Sequence, residues 1–254
     1  MGKKTSKIRL WAVIFWLAVW QLAAMGLARA YPHGSLLLAS PAAVLYRLGQ
    51  LAVTAAFWQT VGWSAARIFG GFLLSTLLAV LLAALAAWKN GVGELLAPLV
   101  AVIKAVPVAS FIILALVWLN SRSLSLFISA LMVFPPVYLN VLEGIRRTDG
   151  QLLEMARVFR VPFSRRLRYI YLPQIMPYFR TAVSLGLGLC WKAGAAAEVI
   201  GLPAGSVGER LYTAKVYFQT PDLFAWTVTI VAVSVLFERL FLFLTDRAAR
   251  KAGG

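Results

Sequence analysis

Apolar residues along this chain fall into runs of about twenty, the helix length that crosses the hydrocarbon core of a bilayer. Six such runs stand out, at about 10–28, 61–88, 95–119, 124–142, 175–200 and 223–244. Each predicts a membrane span. Pro98 and Pro107 in the third, and Pro135-Pro136 in the fourth, predict kinked helices whose freed carbonyls find partners inside a bundle. The breaks are short and polar: Lys89-Asn90-Gly91 closes the second run, and 120–123 is a tight turn. Between the first two runs, Ser40-Pro41 has the form of a helix start, with serine as N-cap and proline at the first helical position. Val44, Leu45, Leu48, Leu51 and Ala55 follow at helical spacing and predict a short amphipathic helix on the outer surface. Gly201, Pro203, Gly205 and Gly208 predict an irregular outer loop to about residue 220.

One break differs from the rest. Residues 144–173 hold seven arginines, at 146, 147, 157, 160, 165, 166 and 168, against Asp149 and Glu154. Thr148-Asp149-Gly150-Gln151 has the Ser/Thr-x-x-Glu/Gln form of a capping box. It predicts a helix through Leu152, Leu153, Ala156 and Phe159, ended by Val161-Pro162. A second short helix, about 164–171, leads to Pro173. Two short helices at an angle, with an apolar face and an arginine rim, can dock in a groove of another protein. They can equally rest on anionic lipid, where each arginine contributes about 1 kcal/mol. Physics alone leaves both open.

Composition supports the membrane assignment. Of 254 residues, 61% are hydrophobic and 13% charged, and mean hydropathy is +0.81. No single globular core can hide that excess, so the bilayer is the solvent and one membrane domain is expected. The net charge of +16 would suggest nucleic acid in a soluble protein. Here the basic residues cluster in the connections, no nucleic-acid motif occurs, and nucleic acid is set aside. With six spans and the N-terminus inside, inner segments hold fifteen Lys and Arg and outer segments four. That bias predicts cytoplasmic termini, a cytoplasmic basic insert and a multi-pass protein of the plasma (inner) membrane. Lys3, Lys4, Lys7 and Arg9 before the first run look like a signal peptide, but the run exceeds the usual apolar core of about 7–15 residues and predicts a retained span.

Chemistry-bearing groups are sparse. Cys190 and His33 are the only residues of their types, which excludes an internal disulfide and a histidine metal cluster. No P-loop, zinc spacing or G-x-S-x-G occurs, so no active site and no metal are expected. Ala182, Gly186, Cys190 and Gly194 lie at strict i+4 spacing, a stripe that lets helices approach closely, either along a pathway or inside one bundle. Lys104, Lys192 and Glu198 fall inside predicted spans, where a charge faces a cavity, snorkels or pairs between helices. Lys192 and Glu198 are too far apart around a helix to pair, and Arg67 reads as a helix-end anchor at the outer interface.

Glu154-Met155-Ala156 followed by Ile170-Tyr171-Leu172-Pro173 resembles the EAA loop of binding-protein-dependent ABC importer permeases. Ser64, Arg67 and Gly71, the Leu96–Pro107 stretch, Phe134-Pro135 with Asn140 and Gly144, and Ala197-Glu198-Val199-Ile200 are similar to the stretches around that loop, in the same order. The likeness covers about residues 60–200 and points to the nitrate/sulfonate/taurine-type branch. It implies an all-α polytopic type I importer permease with six transmembrane helices. It divides the chain into an N-terminal helix plus outer interfacial helix (1–59), a permease core (60–245) with coupling helices at 144–173, and a tail (246–254).

The resemblance assigns ATPase coupling to Glu154, Met155, Ala156, Arg157, Arg160, Ile170, Leu172 and Pro173, and pathway lining or helix packing to Gly186, Cys190, Lys192, Gly194 and Glu198. Implied partners are two copies of an ABC ATPase subunit, a second permease copy as homodimer, an extracytoplasmic solute-binding protein and membrane lipid. ATP and magnesium would sit on the ATPase, with no cofactor on this chain. The solute would be a small anion such as nitrate, sulfonate or taurine, or a related metabolite. Arg160 stands where that family has glycine, six positions after the glutamate, and Met155 replaces an alanine. If the backbone keeps a positive φ at Arg160, the residue costs roughly 1–2 kcal/mol. Otherwise Pro162 breaks the helix, or the ATPase differs. The alternative reading is a six-span secondary transporter or channel with a lipid-binding basic loop. A third, an intramembrane enzyme, lacks clustered His, Asp and Glu.

Overall fold

A computed structural model describes residues 9–253, whose regular elements are all helices, with no strand among them. The lysines at 3, 4 and 7 lie outside the described residues, as do the side chains of Arg250 and Lys251. The order is α1 (Leu10–Ala30), α2 (Gly34–Leu37), α3 (Pro41–Ala52), α4 (Ala55–Trp88), α5 (Asn90–Ala105), α6 (Val108–Ala115), α7 (Ser121–Arg146), α8 (Gly150–Val158), α9 (Phe163–Arg166), α10 (Leu172–Gly201), α11 (Val207–Val216) and α12 (Thr220–Gly253). Among the described residues five helices are long and apolar enough to cross a membrane, or six if α5 and α6 count as one.

The third predicted span is broken, not kinked. Helices α5 and α6 meet at 104°. Val106 and Pro107 are both extended there, at ψ 131° and 133°, because the residue before a proline avoids the helical region and Pro107 itself opens a new helix. Pro98 stays inside α5 and Pro135-Pro136 inside α7.

Helices α4, α7 and α10 form the core. Phe72, Ala79, Ala83, Val133, Val137, Val183 and Leu187 are fully buried among them. Gly71 admits the α7 backbone so closely that a Cβ would lie 2.3 Å from Leu126 O. By contrast α1 and α12 leave most of their apolar surface outward, as lipid-facing spans do. Ser40 Oγ accepts from Ala43 N (3.2 Å) and caps α3. Val44 of α3 is buried against α12, while Leu45 is exposed. Arg47 forks onto both carboxylate oxygens of Asp222, and this hydrogen bonding raises its already high pKa. Helix α3 therefore sits at the start of α12, as does α2, whose Leu36 O accepts from Thr220 Oγ1, and the Arg180–Asp246 pair (3.0 Å) puts the far end of α12 beside the base of α10.

Candidate functional site

The longest continuous element is helical from Phe163 to Gly201, 39 residues. At 1.5 Å per residue that is about 58 Å, well beyond the roughly 30 Å of a hydrocarbon core. The expected second short helix of the basic insert is therefore not separate. It is α9, joined to α10 through a π-helical stretch, Leu167–Tyr171. The wide turn precedes Pro173, which has no N–H to give a regular i−4 bond and sits in the first turn of α10.

At the base of this element lies α8. Its N-cap is Asp149, one residue after the expected Thr148: Asp149 Oδ1 accepts from Gln151 N (2.8 Å). Thr148 instead donates to Gly144 O at the end of α7 (3.3 Å). The Asp149 amide donates to Gln174 Oε1 of α10 (2.8 Å). Helix α8 ends with Arg160 at φ +50°, where Val161 N donates to Ala156 O (2.8 Å). This is the glycine-type helix end with an arginine in it, so the turn keeps its geometry and Arg160 carries the strain.

The faces of α8 divide. Ala156 is buried and Leu153 half-buried against the bundle. Leu152, Met155, Val158 and Phe159 are exposed, the last two at 77% and 74%. Around them Glu154, Arg157, Arg160, Arg165, Arg168, Leu172 and Pro173 are also exposed, while Ile170 is buried. Among the described residues these arginines and Arg166 form no ion pair; Arg166 lies over the Phe163 ring and Arg168 over Tyr169. At the end of α7, Arg147 is held by Glu143, whose hydrogen bond raises the guanidinium pKa. Aromatic, methionine and arginine side chains facing outward together have the composition of a protein interface.

At the other end of α10 is a buried polar cluster. Glu198 is 1% exposed. Its Oε2 accepts from Ser64 Oγ of α4 (2.7 Å) and from Gly208 N of α11 (3.3 Å). Ser64 Oγ in turn accepts from Val207 N (2.9 Å). Arg67 Nη2 stands 3.3 Å from Glu198 Oε1, at ion-pair distance but out of hydrogen-bond alignment. Arg67 is thus no helix-end anchor: it lies inside α4 and turns inward to the carboxylate, because an acid buried in the bundle needs a countercharge.

The residues after α10 were expected to be irregular, yet they form α11. Ser206-Val207-Gly208-Glu209 is a capping sequence that carried the signal: Ser206 Oγ accepts from Glu209 N (3.0 Å) and Glu209 Oε2 from Gly205 N (2.7 Å).

Ala182, Gly186, Cys190 and Gly194 all face the chain's own core. A Cβ on Gly194 would meet Ser129 Oγ at 2.4 Å and Ile68 at 2.7 Å, so the stripe seats α10 on α4 and α7. Lys104 and Lys192 are exposed, without an ion-pair partner among the described residues. No group of three or more His, Cys, Asp and Glu that could hold a metal occurs among the described residues.

The sequence model of the family described as "Binding-protein-dependent transport system inner membrane component" matches residues 75–252. The chain is 27% identical over 237 residues to the aliphatic sulfonates transport permease protein SsuC of Bacillus subtilis, an alignment covering 92% of this chain and 83% of that protein. It is 25% identical over 189 residues to the bicarbonate transport system permease protein CmpB of Synechococcus elongatus, covering 74% and 68%. It is 28% identical over 220 residues to the riboflavin transport system permease protein RibX of Chloroflexus aurantiacus, covering 84% and 81%.

Proposed function

Because the chain belongs to the family of binding-protein-dependent transport system inner membrane components, we propose that it is the permease subunit of an ABC importer, worked by a separate ATPase. One observation carries the coupling role. The exposed apolar face of α8, ringed by arginines without acidic partners among the described residues, sits at the foot of a helix that runs unbroken through the bundle. A groove in an ATPase subunit would cover that face, and nucleotide-driven closure of two such subunits would tilt α10 as a unit. Two permease copies would enclose the path, and an extracytoplasmic binding protein would deliver the solute. The charge count favours a cytoplasmic α8 and cytoplasmic termini.

The solute is a small anion in this reading. Sulfonate and bicarbonate in the names of relatives support it, as do Lys104 and Lys192, cations exposed on bundle helices. Co-purification in mild detergent tests the coupling role: a P-loop ATPase is retained by the wild type, and Glu154→Lys retains less than a tenth as much at equal membrane insertion. A permease that purifies alone, or a variant that holds its ATPase undiminished, refutes the coupling role and leaves the basic insert to lipid.

A further inference from the structure

Resting on that importer reading, we propose that Glu198 is a positioning residue that fastens α11 to the end of α10 remote from α8, so that α11 moves with the helix the ATPase would tilt. The geometry is specific. A carboxylate buried in an apolar bundle is costly unless several donors meet it. Here the donors come from two other elements, the Ser64 hydroxyl of α4 and the Gly208 amide at the N-terminus of α11. Ser64 also takes the Val207 amide, so one hydroxyl and one carboxylate hold two of the free N–H groups that open α11. The positive end of the α11 dipole favours the same charge.

Gly208 completes the joint. Its Cα lies so close to α10 that a Cβ would stand 2.3 Å from Glu198 Cβ and 2.5 Å from Val199 N. The α11 backbone is thus pressed on the turn of α10 that bears the carboxylate. Packing alone would need no acid there. The acid gives a joint that can be transferred as well as held. Glu198 Oε1 and Arg67 Nη2 are 3.3 Å apart without alignment, and Arg67 Nε has no partner among the described residues. The pair therefore has room to tighten when α4 and α10 shift against each other. A tilt passed from α8 to α10, through the connecting turn and the Asp149–Gln174 bond, travels along one continuous helix and reaches α11 through this carboxylate.

The test uses the full chain in lipid nanodiscs, alone and with the ATPase that co-purifies. Buried Cys190 is replaced by serine, and a spin label is placed on exposed Ala204→Cys. In the chain alone, Ser64→Ala and Glu198→Gln each mobilise the label, the second more strongly. In the assembled complex at unchanged subunit ratio, Glu198→Gln raises ATP hydrolysis without solute at least fivefold, because α10 tilts without having to carry α11 with it. A merely structural carboxylate would not raise turnover. Unchanged spectra in both variants overturn the fastening, with Ser64→Ala deciding if Glu198→Gln fails to fold. A mobilised loop with unchanged hydrolysis overturns the link to coupling. If no ATPase co-purifies, the importer reading fails by itself, and the spectra still decide the fastening.

Discussion

Helix α8 at one end of α10 and helix α11 at the other are made from similar parts. Each starts at a side-chain cap, Asp149 or Ser206. Each ends in a turn with a non-glycine residue at positive φ, Arg160 or Phe218, closed by a bond to the carbonyl five residues before the donor. Their attachment differs. Among the described residues helix α8 makes one side-chain hydrogen bond to α10, Asp149–Gln174, and while Ala156 packs inward it turns Met155, Val158 and Phe159 outward. Helix α11 is held by Ser64 and Glu198, with Gly208 pressed on α10. A loosely held helix can accept a partner; a firmly held one can only follow the element that holds it.

The contrast breaks most readily at Arg67. Arg67→Met leaves the Glu198 carboxylate buried without its countercharge and should destabilise the protein by about 3–5 kcal/mol. Arg157→Met, at the α8 end, should stay within about 0.5 kcal/mol. Thermal unfolding in detergent compares them, and equal midpoints would mean the two ends are held alike. Next come the glycines. Gly208→Ala forces a Cβ into the α10 backbone and should cost about 3 kcal/mol. Gly150→Ala, with nothing within 4 Å of its Cβ, should be neutral or raise stability by about 0.5 kcal/mol. Proteolysis in detergent reads both, and a stable Gly208→Ala protein would contradict the close joint.

The smallest effect sharpens the likeness between the two ends. Arg160→Gly and Phe218→Gly should each stabilise the fold by about 1 kcal/mol by relieving a left-handed backbone. A lowered unfolding midpoint in either would show that the side chain contributes more than its strain removes.

Much of this was legible from local signals. Five of the six apolar runs predicted long helices, and Ser40-Pro41 predicted the first residue of α3, although that helix ends at Ala52 and Ala55, expected within it, begins α4. Arg160 was recognised as the place where a positive φ would be strained, and the strain is there. Other features needed neighbours. Thr148 lost the cap of α8 because Gly144 O was available to its hydroxyl and Asp149 caps at least as well. Pro98 and Pro107 read alike in sequence, but only Pro107 follows an extended residue. The Ser206–Glu209 cap was readable and was obscured by the glycines around it.

The sequence by itself determined that this chain lives in a membrane, where its helices run, and which of its connections is strongly basic. Those follow from the run length a bilayer demands and from propensities that act within a few residues. Only the tertiary structure decided which face of each helix meets protein and which meets lipid. In a bilayer both surroundings are apolar, so hydrophobic pattern does not separate them. The same holds for Ser64, Arg67 and Glu198: their partnership spans 134 residues of chain, and it exists because α4 and α10 pack close enough for a hydroxyl to reach a carboxylate.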